Sequence, residues 1–184
     1  MNIYRELLHE QWDNVSPKVR NSHLSGEFLH ARCCLDVVCS SNILGRIISR
    51  MVSFPAPMNS ATVTLNIRPS SEGEIWERVF PGCNLKSVQS QTSDGYLVDR
   101  FGIISFYFRL ETSKGGILHN HIYTHLKLGV FNLHLPRFLS PRVISREEPD
   151  TSQDASRINV SVYFPVIGHL LTYSGVVRPV GDKA

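Results

Sequence analysis

Two rhythms divide the chain. As far as Pro55 and Pro57, apolar residues recur every three or four positions, and beyond them they alternate every second position. Tyr4, Leu7, Leu8 and Trp12 place one apolar stripe on a helix running from Ile3 to about Trp12. Ser16-Pro17 reads as a cap followed by proline at the first helical position, opening a short turn through Arg20. A strand is predicted from about Gly26 to Val38. Ser40, Ser41 and Asn42 then offer caps to a second helix, whose inner face would carry Ile43, Leu44, Ile47, Ile48 and Met51. Gly45 weakens that helix by about 1 kcal/mol relative to alanine.

In the second rhythm Val63, Leu65 and Ile67 alternate with Thr62, Thr64 and Asn66. Trp76, Arg78 and Phe80 share one face of the next segment. Ile104, Phe106, Phe108 and Leu110 oppose Ile103, Ser105, Tyr107, Arg109 and Glu111 in another. Further strands are predicted over 117–127, 130–135, 158–164 and 169–177, with turn signals such as Ser93-Asp94-Gly95 and Lys114-Gly115-Gly116 between segments. The expected fold is mainly β (α+β): one domain of 184 residues built on a curled antiparallel meander or barrel-like sheet of about eight or nine strands. Two N-terminal helices would cover one side. Curling removes exposed sheet edges, and a curled sheet of this size has room for one small ligand. The stretch from Pro136 to Ser156, with Pro141, Pro149 and Glu147-Glu148, reads as irregular, either a lid or a surface excursion.

Composition narrows the function classes. The charged fraction is 19% and the net charge is +3, with no basic stripe interleaved with aromatics, so nucleic acid is not an expected partner. No run approaches the ~20 apolar residues of a membrane span. Met1-Asn2-Ile3-Tyr4-Arg5-Glu6 lacks the order of a signal peptide, which leads to an expectation of cytoplasmic location. Cys33, Cys34, Cys39 and Cys83 show no metal-binding spacing, and most of them read as small buried thiols. There is no Gly-x-Ser-x-Gly, His-Glu-x-x-His, Gly-x-Gly-x-x-Gly or phosphate-cradling Gly-x-x-x-x-Gly-Lys.

The stretch with the most chemical potential is His119-Asn120-His121-Ile122-Tyr123-Thr124-His125. On a regular strand, residues 119, 121, 123 and 125 project to one face. Two such histidines can share a metal, and His134 could add a third ligand. Because no carboxylate or cysteine is fixed by spacing, neither metal nor other cofactor is expected. The same face suits acid–base work. Candidate catalytic residues are Arg78, His121, Tyr123, Glu148 and Asp99, with Arg78 holding an anionic or carbonyl oxygen. Trp76, Phe80, Tyr107, Arg109, His125 and Tyr173 are the candidate substrate-binding residues. The expected function is a small pocket enzyme that transfers protons on a largely apolar small molecule, by cyclisation, isomerisation or dehydration in natural-product biosynthesis. The alternative is a non-catalytic small-molecule-binding or accessory module.

Several phrases in order carry a resemblance. They are Tyr4-Arg5-Glu6-Leu7-Leu8, Val19-Arg20-Asn21-Ser22-His23, Trp76-Glu77-Arg78-Val79-Phe80, Gly95-Tyr96-Leu97-Val98, Leu135-Pro136-Arg137-Phe138-Leu139-Ser140-Pro141, Pro165-Val166-Ile167-Gly168 and Tyr173-Ser174-Gly175. This order resembles a bacterial family known as domain of unknown function 4166, often fused behind a saccharopine-dehydrogenase-like nucleotide-binding domain. The resemblance implies a dehydrogenase-like protein as partner, and a homodimer is the alternative expected partnership. It implies no activity.

Overall fold

A computed structural model describes residues 2–23 and 28–180. The chain opens with α1 (Ile3–Leu8), whose N-terminus is capped by the Asn2 side chain accepting from the Arg5 amide at 2.9 Å. A 3-10 segment over His9–Asn14 continues it, so the predicted helix tightens halfway. The short α2 (Pro17–Arg20) has proline in its first turn, as its sequence predicts. Then follow β1 (Leu29–Cys39), α3 (Ile43–Met51), β2 (Met58–Ser70), β3 (Gly73–Phe80), β4 (Cys83–Gln91), β5 (Leu97–Phe101) and β6 (Ile104–Ser113). After them come β7 (Gly116–Leu128), β8 (Phe131–His134), β9 (Arg142–Pro149), β10 (Ser156–Phe164) and β11 (Gly168–Pro179). The start of the first predicted strand, at Gly26, lies outside the described residues.

Ten of these strands close into an antiparallel barrel. Each pairs with its sequence neighbour except at β8, and the circle is completed where β7 meets β9 and β11 returns to β1. The predicted eight or nine strands become eleven, ten of them in the barrel: β4, β5 and β9 have no counterpart among the predicted segments, and β9 occupies the stretch read as irregular. Its flanking prolines mask the alternation of buried Val143 and Glu147 with outward Ile144 and Arg146. The eleventh strand, β8, pairs only with the last residues of β7 and makes a hairpin extension of the wall.

The two-residue period lines the interior. Leu29, Ala31, Cys33, Leu35 and Val37 of β1 are buried, as are Val63, Leu65 and Ile67 of β2. Barrel closure also demands close backbone approach: Gly175 of β11 adopts φ +155°, and a Cβ there would stand 2.0 Å from the Cys34 carbonyl oxygen.

In an antiparallel meander successive turns alternate between the two ends of the barrel. One end is sealed by the N-terminal segment, which buries Tyr4, Leu8, Trp12, Val15 and Val19. The Ser16 amide donates to the Gly115 carbonyl in the β6–β7 turn at 2.8 Å, and Lys18 donates to the carbonyls of Asp150 and Gln153 in the β9–β10 turn. The other end carries α3. Here the structure inverts an expectation. Gly45 and Ser49 face the barrel, with the Gly45 backbone pressed against Ser40 and Ile167, and Ile43, Leu44 and Ile47 face outward. The Met51 side chain lies outside the described residues. Ile48 is the stripe residue that turns inward. No helix among the described residues is long and apolar enough to cross a membrane.

Candidate functional site

The barrel encloses a cavity of about 670 Å³. Most of its wall is apolar, with Val63, Leu65, Phe106, Phe108, Val162 and Leu171 among the lining side chains. Toward the sealed end polar groups converge from several elements. Tyr4 comes from α1, His23 from the segment after α2, Trp76 and Arg78 from β3, Gln89 from β4, Asp99 from β5, His119 from β7 and Glu147 from β9.

These groups form two contacting sets. In the first, the Tyr4 hydroxyl donates to Gln89 Oε1 at 3.0 Å and lies 3.2 Å from His119 Nε2. The Tyr4 ring packs on the His23 ring at a centroid distance of 3.8 Å, and His23 Nε2 meets Glu147 Oε2 at 2.7 Å. Burial alone would raise the Glu147 carboxyl, but the charge and hydrogen bond of His23 bring it below its ordinary value. Burial lowers His119 to about 4, aided by the nearby His23, so its imidazole is neutral at neutral pH. Tyr4 is pushed well above the ordinary phenol value by burial and the carboxylates around it.

In the second set, the Arg78 guanidinium donates to Ser87 Oγ at 3.2 Å and stacks over the Trp76 ring, 5.3 Å from its centroid. Trp76 is tied down in turn, its indole N–H donating to Glu74 Oε2 at 3.2 Å. Asp99, two strands from Arg78, is enclosed by protein and borders the cavity. Burial raises its carboxyl above the ordinary value, an effect that Arg78 and hydrogen bonds from Ser87 and Gln89 only partly offset. Tyr173 and Cys33 complete this side of the wall. Burial raises both, Cys33 to about 12, so its thiol stays protonated.

Four of the eleven candidate catalytic and substrate-binding residues therefore meet at the cavity: Arg78, Asp99, Trp76 and Tyr173. Phe80 is buried behind the wall, edge-on to Tyr173 at 6.0 Å. The others lie elsewhere. A β-bulge at Ile122 shifts the register so that Tyr107 faces Tyr123 while Phe108 faces His121. The strip 119–125 is thereby split between two faces. His119 points into the cavity. His121 turns toward Phe106 and Phe108, its Nε2 held at 3.0 Å from both the Tyr123 carbonyl and Thr124 Oγ1, and it is not part of the cavity wall. Tyr123 and His125 join Tyr107 on the outer face, where Tyr107 and Tyr123 stack at 4.4 Å and His125 meets His134 at 3.3 Å. Arg109 is exposed and stacks over Tyr96 on the same side. Among the described residues no group of three or more His, Cys, Asp or Glu has a metal-holding arrangement.

Glu148 faces outward and pairs with Arg146 at 3.1 Å, and its neighbour Glu147 is the one that points inward. The alternation of β9 was the signal that distinguishes the two. Tyr4 and His23 carried no comparable signal, because the N-terminal segment reaches the cavity only through tertiary packing.

Fold and site together define a closed ten-stranded β-barrel with an apolar hollow and a charged, hydrogen-bonded floor. The chain belongs to the family described as a domain of unknown function (DUF4166), whose model matches residues 16–177. No curated protein and no solved structure matches the chain.

Proposed function

We propose that this chain is an enzyme that transfers protons on a largely apolar small molecule held inside the barrel, in a cyclisation, isomerisation or dehydration. The observation that carries the proposal is that Asp99 and Arg78 border a cavity whose wall is mostly aliphatic and aromatic, with the Asp99 carboxyl surrounded by protein. Enclosing a carboxyl and a guanidinium costs stability unless something is gained, and perturbed acids in clefts are where proton chemistry is found. A volume of about 670 Å³ falls in the range of small-molecule sites.

In this reading the apolar body of the substrate packs against Val63, Leu65, Phe106 and Phe108, and its polar end reaches the floor. Arg78, fixed by Ser87 and Trp76, holds a carbonyl or developing enolate oxygen. Asp99 exchanges the proton, its raised carboxyl bringing the protonated and ionised forms nearer in energy at neutral pH. Tyr4, bridging Gln89 and His119, fixes the orientation of the neighbouring floor groups. Holding a reactive conformer against these groups supplies much of the rate.

A second reading, a carrier or accessory module serving a dehydrogenase-like protein, is favoured by the predominance of apolar side chains in the wall. The two readings separate in one experiment. The small molecule that copurifies is identified by mass spectrometry and incubated with the protein and with its Asp99→Asn and Arg78→Met variants. The enzyme reading expects turnover that falls on the order of a hundredfold or more in Asp99→Asn, with binding retained. A rise in melting temperature with no product in any sample would instead establish the carrier.

A further inference from the structure

We infer that the end of the barrel opposite the N-terminal helices docks on an anionic lipid surface. This goes beyond the proton-transfer reading and does not depend on it. The outward face of α3 carries Ile43, Leu44 and Ile47, which are 72%, 59% and 47% exposed. An amphipathic helix of a globular protein normally turns such residues to the core. Here Gly45 and Ser49 occupy the inner face, so the apolar stripe has been left to the outside together with Arg46 and Arg50.

The loops at the same end repeat this composition. Val130 in the β7–β8 turn is 94% exposed and Val166 in the β10–β11 turn 80%, and Phe131, Phe138 and Ile103 are also exposed. They join in two groups: the Lys127 amide donates to the Ile103 carbonyl at 2.8 Å, tying the β7–β8 hairpin to the β5–β6 turn, and Gly45 of α3 packs against Ile167 of the β10–β11 turn. An apolar rim of this kind marks an interaction site.

Charge selects the occupant. The segments 40–57, 80–83, 101–104, 127–142 and 164–168 contain Arg46, Arg50, Lys127, Arg137 and Arg142 and no aspartate or glutamate. The opposite end bears Glu6, Glu10, Asp13, Glu72, Asp94, Asp150 and Asp154 against Arg5, Lys18, Arg20 and Lys114 in its helices and turns, an acidic excess where the first end has none. Protruding apolar tips beside cations, at an end whose loops hold no carboxylate, match the insertion of side chains at the headgroup boundary of an anionic bilayer. Val52 and Ile103 line the cavity and are also exposed, so the hollow opens on this rim. An apolar guest would then pass between lipid and barrel without crossing water.

The test is flotation of the full chain with vesicles of phosphatidylcholine and phosphatidylglycerol at 7:3, and with pure phosphatidylcholine. The expected result is binding to the anionic vesicles that weakens in high salt and is at least tenfold weaker on neutral ones. Arg46→Ala/Arg50→Ala should lower affinity on the order of tenfold or more, at roughly 1 kcal/mol per cation near the surface. Leu44→Asp/Ile47→Asp, at exposed positions, should abolish binding while the circular dichroism spectrum and melting temperature are kept. Failure of the unaltered protein to float with anionic vesicles would overturn the proposal. So would a homodimer in analytical ultracentrifugation that Leu44→Asp/Ile47→Asp dissociates, which would assign the face to a second copy.

Discussion

At the end of the barrel closed by the N-terminal segment, Tyr4, His23, His119 and Glu147 are packed ring on ring with hydrogen bonds of 2.7–3.2 Å. At the other end, Ile43, Val130 and Val166 stand in solvent. The contrast reverses the usual division of a globular protein, with polar chemistry inside one end and apolar groups outside the other. Buried polar groups are costly unless satisfied, and exposed apolar clusters invite partners. The sealed end is therefore where stability and chemistry are coupled. The exposed side chains of the open end contribute little to stability.

The largest effect that could break this contrast is at Tyr4. Truncation to alanine removes a buried ring from among His23, Trp76 and His119 and should cost about 3–5 kcal/mol in urea unfolding. Tyr4→Phe keeps the ring and should cost about 1 kcal/mol, by leaving Gln89 and His119 short of a partner. Equal losses from the two variants would show that the ring, and hence the plug, contributes nothing.

A smaller effect concerns pH. The folded value of His119 is lowered to about 4 from an ordinary 6.5, so the unfolded chain takes up a proton before the folded one does. Stability at this residue is complete above pH 6.5 and is lost as pH falls toward 4, by about 3 kcal/mol in all. Asp99, whose folded value is raised, acts with the opposite sign. The difference between the unaltered protein and His119→Gln therefore isolates the histidine. Urea unfolding at pH 7 and pH 4.5 should show the His119→Gln variant losing less stability on acidification, and parallel losses would remove His119 from the floor network.

The smallest effect belongs to the rim. Val130→Ser should change stability by no more than about 0.5 kcal/mol, because the side chain is already in solvent. A large loss there would mean that the rim is part of the core and would erase the distinction between the ends.

How much of this was legible follows from which interactions are local. The alternation at Val63, Leu65 and Ile67 and at Phe106, Phe108 and Leu110 states which side faces in, and the barrel follows from enough such strands joined by short turns. Arg78, Asp99 and Trp76 were reachable because each shares a face with apolar neighbours on a regular strand. The strip 119–125 misled because a single extra residue at Ile122 reverses the facing of everything after it, and no residue type there announces a bulge. Glu147 was one position from the residue singled out, hidden by prolines that disguised β9 as a loop. The α3 stripe was read correctly as a stripe but assigned to the wrong side, since periodicity specifies a face and not its direction. Tyr4 and His23 depend on contacts with residues some hundred positions away, which no local pattern encodes.

The seam between β1 and β11 has a consequence for how the molecule comes into being. Ala31 pairs with Pro179 and Cys39 with Leu171, so the barrel's first strand waits for its last before its second edge is satisfied. Until then a growing, open ribbon exposes both its unpaired backbone and the lining of its future hollow, a topology that favours slow folding and strand-to-strand aggregation. The exposure of this circular design to misassembly is therefore concentrated in the interval before the seam closes.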